Sequence, residues 1–285
     1  TANDVIEELY KNHIGIGISI DGDRKCHDLQ RTFVSGKGSY DTVKKNLLQA
    51  QRYYKNKIGT ITTITKQTAV HIEKIIEHLV LDLHISNIKL NFVHASTYTH
   101  GQNQCLNTQE IADTELRILY KIIELQERGY DVMEHNIFIK LKNLLFREYA
   151  DICLSCGCCG GEKMIVFDMD GNIYPCELTD DASFVIGSIY KKESLIEQIK
   201  MTIDKDKAFF KMKKAVECEK CYWKFFCRGG CTVRALSEKR QMEVIDIDHI
   251  ECAINQVLYP ALMELVLRKP HIVNQMLGED LLVDE

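Results

Sequence analysis

The sequence predicts an α/β fold: a parallel sheet with packed helices, followed by a cysteine-rich domain. Two observations lead to this fold class. Short β-branched runs alternate with helical patterns up to about residue 150, and ten of the twelve cysteines lie at position 153 or beyond. Strands separated by crossover helices form parallel sheets with helices packed on them. We therefore expect one domain over residues 1–150 and a second over residues 151–285.

The first domain is expected to contain three strand–helix units. Three short runs of apolar, mostly β-branched residues predict its strands, at residues 14–20, 58–65 and 88–93. Ser39 is a suitable N-cap for the first helix. Apolar residues at helical spacing over 72–83 predict the second. Asn107 and Glu110 predict a capping box for a third helix that ends near Gly129.

The second domain is predicted to contain a β-hairpin. Two short apolar runs, residues 164–167 and 172–174, flank an Asp-Gly pair, which is a strong hairpin signal. The hairpin would return the chain to the cysteine-rich segment at Cys176. Residues 253–267 have a helical pattern and are expected to close the domain.

Composition limits the classes of partner and compartment. The 285 residues are 45% hydrophobic, and 36 basic against 41 acidic side chains give a net charge of -5, which suggests no nucleic-acid or anionic-membrane partner. Uninterrupted apolar runs fall short of the ~20 residues that span a bilayer. No secretory signal or transit peptide is evident. Dense disulfides belong to small secreted domains, so we expect reduced, metal-binding cysteines in the cytoplasm.

The cysteine spacing is the most specific signal in the chain. Cys218, Cys221, Cys227 and Cys231 form the pattern Cys-x2-Cys-x5-Cys-x3-Cys, and Cys252 follows. A Cys-x2-Cys turn brings two thiolates to one metal centre while loop amides stabilise their charge. A single zinc ion or four-iron cluster takes four thiolates, so the fifth should serve a second centre. A second set of candidate ligands lies upstream: Cys153, Cys156, Cys158, Cys159 and Cys176.

This pattern resembles the SPASM domain of radical SAM enzymes that modify peptides and proteins. The resemblance includes the motif Gly-x4-Cys, formed by Gly171 and Cys176, which precedes the C-terminal cysteines. Upstream, the segments at 18–22, 27–28 and 36–39 resemble the fourth strand and following loop of the family's partial (β/α)6 barrel. The resemblance therefore implies the C-terminal half of that barrel, from the fourth to the sixth unit, followed by a SPASM domain. Similar enzymes mature sulfatases anaerobically or crosslink ribosomally made peptides.

The resemblance also implies ligands for two auxiliary [4Fe-4S] clusters. Those of the second cluster would be Cys218, Cys221, Cys227 and Cys252. Those of the first would be Cys176 and Cys231, with Cys153 and Cys159 completing the set because their x5 spacing matches sulfatase-maturing relatives. Cys156 and Cys158 are then surplus: they could replace either partner, or be free thiols.

The radical-generating motif of the family, Cys-x3-Cys-x2-Cys, does not occur in these 285 residues, since Cys26 and Cys105 cannot form it. We expect a partial sequence that lacks roughly one hundred residues, the length of three strand–helix units. The alternative is a truncated auxiliary subunit. In the intact enzyme, a third [4Fe-4S] cluster would bind S-adenosylmethionine (SAM).

Three further residues have competing interpretations, and a fourth, Trp223, has one expected role. The resemblance implies that Ser19 contacts SAM, although an ordinary turn residue would look the same. Arg31 could bind a carboxylate of substrate or cofactor, or be a surface arginine. Glu177 directly follows the predicted ligand Cys176. Sulfatase-maturing relatives carry an aspartate at this position, which is proposed as the catalytic base. The alternative is that Glu177 is an ordinary solvated acid. Trp223 is expected to pack beside a cluster and exclude water.

The preferred function is radical modification of a peptide or protein side chain, with a ribosomally made precursor peptide as the preferred substrate. The alternative within the class is sulfatase maturation by formylglycine formation. A different class, a non-catalytic zinc- or iron–sulfur-binding module, also uses Cys-x2-Cys pairs. The expected partners are the peptide or protein substrate and an electron donor such as flavodoxin or ferredoxin.

Overall fold

The computed structural model describes residues 2–94, 102–148, 153, 158, 160–161, 163–179, 182–204, 216–239 and 247–278. The chain divides into two compact units. Unit 1 comprises residues 1–93, 103–141 and 257–285, and unit 2 comprises residues 94–102 and 142–256.

Within the described residues, unit 1 contains a parallel sheet whose strands follow the chain order: β1 (Gly17–Ser19), β2 (Gly59–Ile64), β3 (Asn87–Phe92) and β4 (Met133–Glu134). The predicted α/β class with a parallel sheet is confirmed. The sequence did not predict β4, because this strand is only two residues long. So short a run shows no detectable alternation of polar and apolar residues.

The helices of the first half lie between and after these strands. They are α1 (Ala2–Lys11), α2 (Arg24–Asp28), α3 (Tyr40–Tyr54), α4 (Lys66–Ala69), α5 (Ile72–Glu77), α6 (Thr108–Glu127) and α7 (His135–Phe146). The helix predicted over 72–83 continues past α5 as a π-helical turn, His78–Asp82. The predicted capping box is confirmed: Asn107 Oδ1 accepts the N–H of Glu110, and Glu110 Oε2 accepts the N–H of Asn107.

The two faces of the sheet differ in exposure because side chains alternate along each strand. On one face, Thr60, Thr62, Ile64, Ile88 and Leu90 are buried. On the other face, the register places Ser19 beside Ile61, which is 42% exposed, and Ile61 beside Lys89. Parallel sheets are normally covered on both faces. The second face is only partly covered within the described residues, so it offers an accessible surface to a ligand.

Unit 2 contains an antiparallel sheet of β5 (Val166–Phe167), β6 (Asn172–Tyr174) and β7 (Gly187–Ser188). The predicted hairpin of β5 and β6 is confirmed. Asp168 closes its turn by accepting the N–H groups of Asp170 and Asn172 at 2.9 and 2.8 Å.

The later helices are α8 (Leu195–Asp204), α9 (Val216–Glu219), α10 (Lys224–Cys227), α11 (Thr232–Lys239), α12 (His249–Arg268) and α13 (Pro270–Leu277). The helix predicted over 253–267 is confirmed as part of α12.

By length and composition alone, α12 could cross a membrane, with a mean hydropathy of 1.3 over an 18-residue window. Polar residues such as Glu251, Asn255 and Glu264 interrupt its apolar runs, so run length alone did not predict a spanning helix. A core helix of a soluble protein can have the same composition. Leu258, Tyr259, Leu262 and Leu265 are buried, and 28% of the window as a whole is buried.

Candidate cluster sites and sheet edge

Cys176 lies in a tight turn directly after the hairpin. Its side chain is buried, at 6% exposure. The N–H of Leu178 points at Cys176 Sγ over 3.4 Å, and Thr179 donates its N–H and its hydroxyl to the Cys176 carbonyl. A backbone amide aimed at sulfur stabilises a thiolate. The turn therefore prepares Cys176 for binding a metal centre.

Two other cysteines pack around Cys176. Cys158 and Cys231 contact the buried set formed by Cys176, Phe184 and Val233, and we call these three cysteines the first cysteine group. Burial, together with the nearby Glu177, Cys231 and Cys158, raises the pKa of Cys176 to about 12. Thiols in such surroundings become thiolates when a cationic centre compensates their charge. The donor set therefore fits iron.

A second cysteine group is formed by Cys218, Cys221 and Cys252. The N–H of Cys221 donates to the Cys218 carbonyl at 3.3 Å, which closes the predicted Cys-x2-Cys turn. Burial raises the pKa of Cys252, and the nearby Cys221 and Cys218 raise it as well. Gln256, one turn further along α12, donates to Cys221 Sγ at 3.7 Å. The fourth predicted ligand, Cys227, ends α10 and donates its N–H to Trp223.

Of the other two predicted ligands of the first cluster, the structure describes only Cys153. Cys153 is half-buried, whereas Cys159, like Cys156, lies outside the described residues. Within the described parts of the chain, no three His, Cys, Asp or Glu side chains are grouped as ligands of one metal ion. Each thiolate of a four-iron cluster binds a different iron, so its ligands lie farther apart than those of a zinc ion.

Two predicted side chains lie beside the cysteine groups. Glu177 is exposed although Cys176, its neighbour, is buried. Trp223 is half-buried, and its ring packs against Phe226 with the ring centres 6.1 Å apart. Asn143 holds the same segment by donating to the Phe226 carbonyl at 3.1 Å. Glu177 is therefore accessible to a substrate, and Trp223 belongs to the packing around Cys227.

The carboxyl edge of the sheet in unit 1 forms a separate candidate site. Ser19 is exposed at the end of β1. Two residues later, the carboxylate of Asp21 is buried and accepts the Thr63 N–H at 2.9 Å and the Gln30 amide at 2.7 Å. Ligands of open α/β sheets bind outside the carboxyl ends of the strands. The position of Ser19 is therefore compatible with contact to a cofactor.

Arg31 lies at this edge but is already engaged. Its Nε donates to Asp21 Oδ2 at 2.5 Å, and its Nη2 reaches Asp21 Oδ1 at 3.3 Å and Thr63 Oγ1 at 3.4 Å. No local pattern in the sequence predicts this pairing, because a loop separates the two residues. The carboxylate that Arg31 contacts in the structure is thus one of the chain's own.

His27 and Ser39 organise the loop behind that edge. Asp21 donates its N–H to His27 Nδ1 at 3.1 Å, so His27 carries its proton on Nε2 and donates it to Ser39 Oγ at 3.0 Å. Ser39 in turn donates to the Arg31 carbonyl at 2.8 Å. Ser39 precedes α3 as predicted, but its side chain makes no capping hydrogen bond.

The cap of α3 comes from Asp28 instead. Its Oδ1 accepts the Tyr40 N–H at 2.9 Å. A Cβ at Gly38 would lie 2.2 Å from the Asp28 carboxylate, so only glycine leaves room for it. The His-Asp and Gly-Lys-Gly-Ser segments in the sequence are therefore parts of one folded loop.

Comparison with known proteins identifies similar sequences. No family model matches the chain. The cysteine-type anaerobic sulfatase-maturating enzyme of Clostridium novyi (strain NT) is 26% identical over 235 residues, which cover 81% of this chain and 61% of that protein. The enzyme of the same name from Clostridium perfringens (strain 13 / Type A) is 23% identical over 229 residues, covering 78% and 59%. The chain therefore spans about three fifths of the length of these curated relatives.

Solved structures share the fold. Native anSMEcpe with bound AdoMet and Cp18Cys peptide has a TM-score of 0.77 and 19% identity, covering 93% of this chain and 73% of that one. Streptococcus suis SuiB has a TM-score of 0.50 and 14% identity, covering 87% and 63%. The resemblance to radical SAM enzymes that modify peptides and proteins is thus confirmed. The similar curated proteins are all sulfatase-maturating enzymes, so they favour the alternative function over ribosomal-peptide maturation.

Proposed function

We propose that this chain is part of a radical SAM enzyme that oxidises a cysteine side chain of a sulfatase to formylglycine. The observation that carries the proposal is the similarity to cysteine-type anaerobic sulfatase-maturating enzymes over about four fifths of the chain. The exposed carboxylate of Glu177 beside the first cysteine group supports it. In this proposal, residues 1–150 are the fourth to sixth units of the barrel and residues 151–285 are the SPASM domain.

The oxidation removes a hydrogen atom, a proton and an electron from the substrate CH2–SH group and leaves a thioaldehyde. Water then converts the thioaldehyde to the aldehyde and hydrogen sulfide. Bound SAM and its [4Fe-4S] cluster, for which these 285 residues contain no Cys-x3-Cys-x2-Cys motif, would supply the acceptor for the hydrogen atom. When bound, the auxiliary clusters supply an acceptor for the electron. The cofactors provide the hard chemistry, and the protein provides position and electrostatics.

The residues of this chain would bind, orient and move protons. Glu177 would take the proton, because its carboxylate is exposed next to the turn that holds Cys176. Ser19 would contact SAM at the carboxyl edge of the sheet, where it is exposed. Cys158, Cys176 and Cys231 would bind the first auxiliary cluster, with Cys153 and Cys159 as the other candidates. Cys218, Cys221, Cys227 and Cys252 would bind the second.

Partners and compartment follow from the same proposal. The substrate would be a sulfatase polypeptide with an accessible cysteine, and the electron donor a small carrier such as flavodoxin or ferredoxin. Reduced clusters of this kind suit the cytoplasm, where thiols stay reduced.

The test uses the gene product extended upstream to include the Cys-x3-Cys-x2-Cys motif. The purified, reduced enzyme is incubated with SAM and a peptide that carries the cysteine of a sulfatase active-site segment. Mass spectrometry should show replacement of CH2–SH by an aldehyde, with one 5'-deoxyadenosine per product. A peptide with serine in place of the cysteine serves as the matched control. If the cysteine peptide stays unmodified while SAM is cleaved, the sulfatase proposal is wrong. A colourless protein that contains zinc and no iron would favour the non-catalytic module.

A further inference from the structure

A buried carboxylate, Asp248, contacts both cysteine-bearing segments of unit 2. It is 1% exposed. Its Oδ2 accepts the N–H of Cys231 at 2.7 Å, and Cys231 belongs to the first cysteine group. Its Oδ1 accepts the N–H of Glu251 at 3.1 Å, and its carbonyl accepts the N–H of Cys252 at 2.9 Å. Asp248 thus caps α12 at the turn that carries Cys252, a member of the second cysteine group.

The chain is shaped to admit this carboxylate. Gly230, with a φ of +72°, precedes Cys231. A Cβ at Gly230 would lie 2.7 Å from Asp248 Oδ2 and 2.8 Å from Asp248 Cβ. Both the backbone conformation and the close approach therefore require glycine. The glycine lets the Cys231 N–H point at the carboxylate.

Arg234 compensates the buried charge. Its Nη2 and Nε donate to Asp248 Oδ2 at 2.6 and 3.0 Å, and its Nη2 also reaches Glu251 Oε2 at 3.2 Å. Burial alone would lower the pKa of Arg234, but the facing carboxylates of Asp248 and Glu251 raise it above its usual value. The guanidinium therefore stays charged, and its charge also acts on the Cys231 thiol.

We propose that Asp248 is a positioning residue that orients Cys231 and Cys252 together and thereby couples the two cluster sites, while Arg234 adds positive charge beside the first. The proposal rests on the proposed function, since it requires both auxiliary clusters. Residues that orient metal ligands affect metal affinity strongly, even though they do not touch the metal. A side chain that contacts ligand segments of both sites should affect both.

The test measures cluster retention in the 285-residue chain after anaerobic reconstitution. Iron, sulfide and the electron paramagnetic resonance signals of the two reduced clusters are compared in wild type, Asp248→Asn, Cys252→Ser and Asp168→Asn. Asp168→Asn is the matched control, because Asp168 also accepts backbone N–H groups but in the hairpin turn. Asp248→Asn should lose iron to a chelator about 10-fold faster from both clusters. Cys252→Ser should mainly lose the second signal, and Asp168→Asn should match wild type.

Different results separate the two proposals. If wild type itself holds no iron, the proposed function fails. If wild type holds two clusters and Asp248→Asn releases both at the wild-type rate, or only one faster, the coupling role is overturned.

Arg234→Gln provides a second measurement that does not depend on Asp248 variants folding. Loss of a positive charge near a cluster disfavours its reduced form, so the potential of the first cluster should become more negative while that of the second stays unchanged. A purely structural role would not produce a shift at one cluster only. Equal potentials in Arg234→Gln and wild type would overturn the charge role of Arg234.

Discussion

The guanidinium of Arg31 donates to the buried carboxylate of Asp21 at 2.5 Å, at the carboxyl edge of the parallel sheet. The pair joins the segment after β1 to the loop before α3. Because Asp21 also accepts the Thr63 N–H, it links two neighbouring strands as well. Arg31 therefore stabilises the edge at which Ser19 lies, and any contact with a cofactor carboxylate would be additional to this pairing.

The first prediction concerns this pair. Arg31→Met should lower the free energy of unfolding by about 1–3 kcal/mol, because the buried Asp21 loses a charge-assisted donor. The measurement is urea denaturation of wild type and variant. Arg24→Met is the matched control, since Arg24 pairs with Asp41 where both side chains are more than half exposed. The control should change the free energy of unfolding much less than Arg31→Met does, because water screens an exposed ion pair. Equal stability of Arg31→Met and wild type would leave the arginine available for the cofactor role.

The second prediction concerns pH. His27 is fully buried, and burial lowers its pKa, with the charge of Arg31 acting in the same direction and those of Asp21 and Asp28 opposing it. The neutral ring therefore contributes stability above its unfolded pKa of about 6.5, which is lost as the pH falls towards the lower folded value. Urea denaturation is measured at several values between pH 8 and pH 5. As the pH falls, His27 should lower the free energy of unfolding by at most about 1.4 kcal/mol per pH unit.

His27→Gln should remove that part of the pH dependence, whereas a variant of the partly exposed His71, His71→Gln, should retain it. An unchanged pH profile in His27→Gln would show that the histidine does not become charged on unfolding in this range.

The third prediction identifies a first-cluster ligand. Cys158→Ser should lose about half of the bound iron, because Cys158 packs with Cys176 and Cys231 and one of two four-iron clusters would be affected. Iron analysis after anaerobic reconstitution measures the loss. Cys105→Ser is the control and should keep the wild-type content, since Cys105 belongs to unit 1. Full iron in Cys158→Ser, with loss in both Cys153→Ser and Cys159→Ser, would restore the pair implied by the family resemblance.

The fourth prediction concerns Glu177 in the upstream-extended enzyme. Glu177→Gln keeps the size of the side chain but removes the basic carboxylate, so iron content and SAM cleavage should be unchanged. Product formation should fall by ~10²-fold or more if the general base is lost. Glu193→Gln, an exposed glutamate of the same unit, is the control. Wild-type product yield in Glu177→Gln would make this residue a solvated acid, and loss of iron would make its role structural.

The fifth prediction is that the 285-residue chain does not cleave SAM reductively, even with its clusters reduced. The sequence contains no Cys-x3-Cys-x2-Cys, so no cysteine set is available for the SAM-binding cluster. Chromatography of the reaction mixture should show no 5'-deoxyadenosine above background. Its appearance would mean that the radical site has been misplaced.

Local patterns in the sequence predicted the longer strands of unit 1, the hairpin of unit 2 and cysteine ligands for a metal centre, whereas the short strands β4 and β7 were not predicted. Alternating β-branched and helical runs predicted the strands β1, β2 and β3, and the Asp-Gly pair predicted the hairpin. The capping box at Asn107 and Glu110 is formed as expected, since both partners lie within one turn. The spacing of the cysteines predicted metal centres because a Cys-x2-Cys turn is itself a local structure.

Only the tertiary structure decided which distant residues meet. It brings Cys158 to Cys176 and Cys231, pairs Arg31 with Asp21, and places Asp248 against Cys231. None of these contacts has a periodic signal, because each joins segments whose separation is set by loops and strand register. The sequence by itself therefore determined the longer elements and pointed to cysteine as the ligand type. Packing determined which residues meet, since a buried charge or thiol is stable only beside the groups that the folded chain brings to it.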